Sequence, residues 1–206
     1  MDIFIGISLK QRNGHQMRSR VESLEFALLG LLAQGPLHGY ELRKRMVTIF
    51  GPFKAISFSV LYPQLRRMLL AGSIQEEAVD RQFNQSGNAS LIRSTKRPRI
   101  VYAITKEGMA RFEALTETVS ADAWEDEGFE IRFAFFSPTP TKSRVRILEG
   151  RLRRLQEKAE ILRDEVEKSP IGIDKYLQEW RRHSLDSADR EIAWLQEMIT
   201  TERKSK

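Results

Sequence analysis

Hydrophobic positions divide the chain into a front half with short, dense periods and a rear half with two long, sparse ones. Leu24, Leu28, Leu31 and Leu32 fall on one helical face, and Phe26, Leu29 and Ala33 widen it. A pattern apolar nearly all round predicts a central helix over about Glu22–Gln34. Gly35-Pro36 ends it, because proline cannot continue the backbone ladder. A second helix is predicted over about Gly39–Ile49, with Tyr40, Leu42, Met46, Val47 and Ile49 apolar, and Arg43, Lys44 and Arg45 charged. Gly51-Pro52 stops it. A third helix opens at Ser57 or Ser59, both credible N-caps. In it Leu61, Leu65, Met68 and Leu69 recur at i, i+4, i+7 and i+8 as one stripe for burial. Ser59, Tyr62, Gln64, Arg66 and Arg67 are expected on the opposite face. Pro63 donates no backbone hydrogen bond, so it belongs in the first turn or kinks the helix. Ala71-Gly72 is the stop.

Ile74–Val79 and Ile100–Ile104 then read as paired strands around a polar stretch that ends in Arg93, Lys96, Arg97 and Arg99. Thr105-Lys-Glu-Gly opens a fourth helix that runs to about Val119. From Asp122 the chain is acidic, then aromatic. Phe129, Ile131, Phe133 and Phe135 alternate as in a strand, whereas Phe129, Phe133 and Phe136 share a helix face, and the period leaves both open. A long helix follows over about Lys142–Lys168, with Leu148, Leu152, Leu155, Ala159, Leu162 and Val166 forming a coiled-coil-like seam. Ser169-Pro170-Ile-Gly172 breaks it. A last helix, about Asp174–Thr201, repeats the device with Leu177, Trp180, Ser184, Ala188, Ile192, Leu195 and Ile199. Two such helices joined by a short connection should fold back on each other. Their apolar surface exceeds what one hairpin hides, which points to a homodimer. The expected fold is mainly α with a small β wing. A flexible extension occupies 1–20 (Met17 is an alternative start), a helix-turn-helix domain 21–120, and an antiparallel helical dimerisation domain 121–206.

Composition narrows the function classes. Net charge is +6, but residues 1–115 hold 17 Lys and Arg against 9 Asp and Glu, giving +8, and the remainder carries −2. The excess sits where a polyanion partner would need it. There is no cysteine and only three histidines, His15, His38 and His183, so neither a thiolate nor a conventional zinc site is expected. No run approaches the roughly 18 apolar residues of a membrane helix, and a cytoplasmic protein is the default. No Gly-rich phosphate loop or nucleophile elbow is present. His183, Ser184 and Asp186 match a triad by content, but neighbours on one helix diverge and cannot converge on a substrate. Glu125, Asp126 and Glu127 read as a solvated acidic turn. No catalytic residue, metal or cofactor is expected.

The runs LLGLLAQGPLHGYELRKRM, VLYPQLRRMLLAGSI and RPRIVYAITKEG together resemble the PadR-type transcriptional regulators of bacteria. The likeness covers about Ser23–Gly108, and the C-terminal helices resemble the larger PadR subfamily in layout only. It implies a winged helix-turn-helix dimer, usually a repressor, whose third helix enters the DNA major groove. His38 and Tyr40 then correspond to the start of helix two. Ser57, Ser59, Tyr62, Gln64 and Arg66 correspond to helix three, and Lys96, Arg97 and Arg99 to the wing tip. The loop from Asp80 to Arg97 is longer than the family's usual wing, and the N-terminal extension is a second departure.

These residue types suit the task. Serine hydroxyls beside a helix N-terminus suit a phosphate, although simple capping explains them equally well. Tyr62 offers a hydroxyl to phosphate or a ring to a thymine methyl. Gln64 can read adenine in bidentate fashion, although a solvated polar residue is the commoner explanation, and Arg66 and Arg67 are expected to meet phosphate. The expected partner is double-stranded DNA carrying an inverted repeat. Trp124, Phe129, Phe133 and Trp180, with Trp194, are candidates for a pocket that takes a small, flat, apolar effector, though such stripes are more often core. The alternative reading is a winged-helix module that contacts protein without sequence-specific DNA binding.

Overall fold

Helix α1 (residues 21–32) is buried without interruption from Phe26 to Leu32, as its all-round apolar pattern requires of a central helix. The structure is a computed structural model that describes residues 21–51, 57–78, 100–168 and 174–204. The chain divides between Leu115 and Thr116 into two units.

In the first unit α1 leads into a two-residue strand, β1 (Leu37–His38), then α2 (Gly39–Phe50) and α3 (Phe58–Leu70). Strands β2 (Ile74–Ala78) and β3 (Ile100–Ile104) follow, and then α4 (Lys106–Glu117). The sheet is antiparallel in the order β1-β3-β2. Leu37 faces Tyr102, and the β2–β3 ladder runs from Ile74 opposite Ile104 to Ala78 opposite Ile100. Two residues carry no period, so β1 has no signature in the sequence pattern. Leu28, Leu29, Leu42, Met46, Leu61 and Leu65 are fully buried in this unit. Phe26 of α1 and Phe112 of α4 close the core, with ring centroids 5.3 Å apart. The expected extension 1–20 and the basic residues Arg93, Lys96, Arg97 and Arg99 lie outside the described residues.

A clasp joins the end of α3 to the start of α4. The Thr105 hydroxyl donates to the Gly72 carbonyl (2.6 Å) and accepts from the Gly108 amide (3.0 Å). The Thr105 amide donates to the Ser73 carbonyl at 3.1 Å. Thr105 is thus an N-cap that also ties down the chain leaving α3. Gly108 lets the Ser73 carbonyl approach, since an added Cβ there would lie 1.9 Å from that oxygen. The Thr-Lys-Glu-Gly run is explained by this one contact.

The second unit starts with a short 3-10 turn (Ala121–Trp124) and α5 (Asp126–Ala134), followed by α6 (Thr141–Glu167) and α7 (Lys175–Lys204). Helix α5 settles the ambiguity between alternation and helix around Phe129–Phe136. An isolated strand would leave its backbone groups unpaired, and no strand is available to it among the described residues of this unit. Helices α6 and α7 run antiparallel, with ion pairs Arg144–Glu202 (2.9 Å), Arg151–Glu191 (2.9 Å) and Arg163–Asp189 (2.5 Å) along their length. Leu148, Leu155 and Ala159 meet Ala188, Leu195 and Ile199 in the buried seam. Toward the connecting end Arg181 of α7 still bonds Glu165 of α6, at 3.5 Å to its carboxylate and 3.3 Å to its carbonyl, while Ile161, Tyr176, Leu177 and Trp180 are exposed.

Gly108→Ala is expected to lower stability by at least about 2 kcal/mol, the cost of forcing a carbon into a filled site. Thermal unfolding of the variant measures this, and an unchanged Tm contradicts the clasp.

Candidate nucleic-acid interface

Burial fixes which side chains α3 presents. Its inward stripe is Leu61, Gln64, Leu65 and Met68, spaced i, i+3, i+4 and i+7 as one helical face requires. The outward arc follows by rotation. Ser59, Pro63 and Arg66 occupy its centre, Phe58 and Tyr62 flank one side, and Val60 and Arg67 flank the other; all are exposed. Of the expected apolar stripe Leu61, Leu65 and Met68 are buried, while Leu69 is only half-buried and Gln64 takes the fourth place. Pro63 lies in the second turn of a helix that continues through it to Leu70.

Gln64 is the main correction. It was expected on the reading face, yet only 4% of it is exposed and its Oε1 has no hydrogen-bond partner among the described residues. Position 64 is three residues after Leu61 and four before Met68, so the helix period turns it into the core whatever its polarity.

Of the other expected residues, Ser57 and Ser59 meet each other and Tyr62 meets the start of α2. His38 is the N-cap residue of α2, and its Nδ1 donates to the Ile100 carbonyl at 3.2 Å. That bond ties the start of α2 to β3. Tyr40 is well exposed in the first turn. Ser57 is the N-cap residue of α3, and no side chain caps the first turn of either α2 or α3. The Ser57 and Ser59 hydroxyls instead bond each other at 2.7 Å. The Tyr62 ring lies against the start of α2 at Gly39 and stacks on Phe58, with centroids 5.8 Å apart and planes 20° apart. Arg43 of α2 places its guanidinium carbon 4.6 Å from the Phe58 ring centroid, within cation–π range. Arg66 and Arg67 form no ion pair among the described residues. Phe58 and Arg43 were not singled out from the sequence; the i, i+4 spacing of Phe58 and Tyr62 was the available signal.

Beside this face lies an open cleft of about 510 Å³ lined by Tyr62, Arg66, Leu69, Leu70, Glu76 and Tyr102. Burial raises the Tyr102 phenol above its ordinary value, and the Glu76 carboxylate and Tyr62 add to the effect. Tyr102 therefore stays neutral and acts as an apolar floor with a hydroxyl edge.

In the second unit the expected effector residues separate. Phe129, Phe133, Phe136 and Trp194 form one aromatic cluster, with centroids 4.8 Å apart for Phe133–Phe136 and 5.3 Å for Phe133–Trp194. Trp124 packs against the same core. Its indole lies where α6 has Gly150, and a Cβ there would be 2.1 Å from Nε1. Trp180 is not in this group. It is 66% exposed and pairs with His183 at 5.9 Å, while its neighbour Arg181 is the residue that reaches Glu165 of α6. Sequence reasoning missed Arg151. It is buried on α6 and bonds Asp126 (2.6 Å), Glu191 (2.9 Å) and the Trp124 carbonyl (3.1 Å). Burial works to lower its pKa, but the bonds to Glu191 and Asp126 outweigh this and hold it above the ordinary value.

Comparison with known proteins gives a consistent result. The Transcriptional regulator PadR-like family matches residues 28–114. The chain is similar to the Negative transcriptional regulator PadR of Bacillus subtilis (strain 168), with 26% identity over 152 residues, covering 70% of this chain and 74% of that one. Among solved structures it is similar to Bacillus subtilis PadR in complex with operator DNA (21% identity, TM-score 0.37, 87% of this chain and 98% of that chain). It is also similar to Bacillus subtilis PadR in complex with p-coumaric acid (18% identity, TM-score 0.37, 88% and 99%).

Gln64→Met is expected to raise stability by about 1 kcal/mol, because it removes a buried acceptor left unpaired and keeps the volume. The denaturant midpoint measures this, and a loss of similar size contradicts the inward placement.

Proposed function

We propose that the protein is a DNA-binding repressor that works as a homodimer on an inverted-repeat operator, a reading that starts from the match of residues 28–114 to the Transcriptional regulator PadR-like family. The observation that carries this reading is the outward arc of α3. Small Ser59 lets the helix approach the groove, Arg66 and Arg67 are left without acidic partners among the described residues, and the starts of α2 and α3 carry no side-chain cap. Helix N-termini suit phosphates, and exposed arginines suit phosphate or guanine. His38, Tyr40, Ser57 and Ser59 are assigned to the backbone, and Tyr62 and Arg66 to the groove. Lys96, Arg97 and Arg99 are assigned to a basic wing. Repression rather than activation follows the similarity to a negative regulator.

The dimer is assigned to α6 and α7, whose connecting end leaves Ile161, Tyr176, Leu177 and Trp180 exposed. A second copy covers such a surface in an isologous contact. A small, flat, aromatic effector is assigned to the cluster of Trp124, Phe129 and Phe133. Such a compound acts only by binding one arrangement of the DNA-reading heads better than another. A cytoplasmic location goes with this reading. Among the described residues no helix is long and apolar enough to cross a membrane.

The direct test is duplex DNA binding across a salt series. Affinity should fall with salt at a slope of about −0.9 per phosphate contact, and Arg67→Ala should make that slope shallower by about 1. Binding indifferent to salt, or none in dilute buffer, favours a module that contacts protein. Trp180→Glu should shift the protein toward monomer in analytical ultracentrifugation. A dimer unmoved by the change places the interface elsewhere.

A further inference from the structure

Helix α3 holds its base-reading groups in an unusual balance. It has no asparagine, and its one glutamine, Gln64, points into the core. Bidentate reading of adenine needs one of those two amides, so the described part of α3 lacks that device. Beside Ser59, Arg66 and Arg67, its outward arc presents apolar groups. Val60 is 51% exposed on one flank, Phe58 and Tyr62 are exposed on the other, and the Pro63 ring stands between them at the centre of the arc. Resting on the DNA-binding reading above, we propose that α3 recognises A·T pairs from the other strand, through thymine 5-methyl groups packed against Val60, Pro63 and the ring of Tyr62.

Three features support this. The thymine methyl is the one apolar landmark of the major groove, and apolar side chains are what recognise it. The apolar groups are held in place before any DNA arrives. The guanidinium of Arg43 caps Phe58 at 4.6 Å, Phe58 stacks on Tyr62, and Tyr62 rests on the start of α2. Val60 is β-branched and stiff about χ1 in a helix, and Pro63 has no free side-chain rotation. Ordering cost on binding is therefore small. Finally, Arg66 and Arg67 lie one turn further along the same arc, so the cations that hold the backbone or read guanine flank the apolar group without displacing it.

The test uses the full-length chain. A random-sequence duplex pool is selected for retention at low salt, and the recovered consensus is remade with each thymine in turn replaced by deoxyuridine, which removes only the methyl. At one or more thymines of each half-site, affinity should drop about fourfold, the worth of one buried methyl. In Val60→Ala or Tyr62→Ala at least one of those positions should become indifferent to the replacement. Gln64→Met should keep the full base preference. Tight binding with no position sensitive to methyl loss overturns the inference and leaves the regulatory reading standing. Sensitivity that survives intact in both variants moves the contact off α3 and overturns it as well. So does a preference at an adenine that vanishes in Gln64→Met. If no duplex is retained at all, the regulatory reading fails and this inference falls with it.

Discussion

The inward stripe of α3 is the constraint on which the site depends. Leu61, Leu65 and Met68 are buried against the first unit's core, and each buried side chain of that size is worth about 1.5–3 kcal/mol relative to exposure. That energy sets the rotation of the helix about its axis. Once it is set, a period of 3.6 residues leaves no choice over the rest. Gln64 goes in with its amide oxygen unpaired among the described residues, and Ser59, Tyr62, Pro63 and Arg66 go out. The chemistry offered to a partner is thus a by-product of hydrophobic packing, fixed before any ligand is met.

The remaining parts of the unit hold that helix where it is useful. The Thr105–Gly72 and Thr105–Ser73 bonds tie its C-terminal end to α4. The stack of Arg43, Phe58 and Tyr62 ties its N-terminal end to α2, and His38 ties α2 to β3. Both ends of α3 are therefore restrained while its outward arc stays uncovered among the described residues. A helix held in that way can enter a groove without first being ordered, which keeps the cost of binding low.

Much of this was legible in the residues. The dense apolar period of α1, the Gly-Pro stops and the long seams of α6 and α7 are strong local signals, and the elements form where those signals place them. Short or competing signals carried less. Two residues cannot show a period, so β1 was silent. The aromatics of α5 fit two periods at once, and only the lack of a strand to pair with decides between them. Gln64 and Arg151 share one lesson. Both are polar, both sit at the spacing of a buried face, and in both the period outweighed polarity. Arg151 meets the cost of burial with Asp126 and Glu191, whereas the Gln64 oxygen has no such partner. Trp180 shares only its residue type with the other aromatics, and it is exposed on α7 while its neighbour Arg181 contacts α6. Contacts of that kind depend on tertiary placement, which no single-helix pattern encodes.

Hydroxyl-radical footprinting of the full-length protein, free and bound to duplex DNA, tests the central claim most directly, because oxidation reports side-chain exposure residue by residue. The account predicts that Tyr40, Phe58, Tyr62 and Pro63 become protected on binding, while Met46, Met68 and Phe112, already buried, do not change. Protection confined to other surfaces, with Tyr62 and Pro63 as reactive as in the free protein, would contradict it.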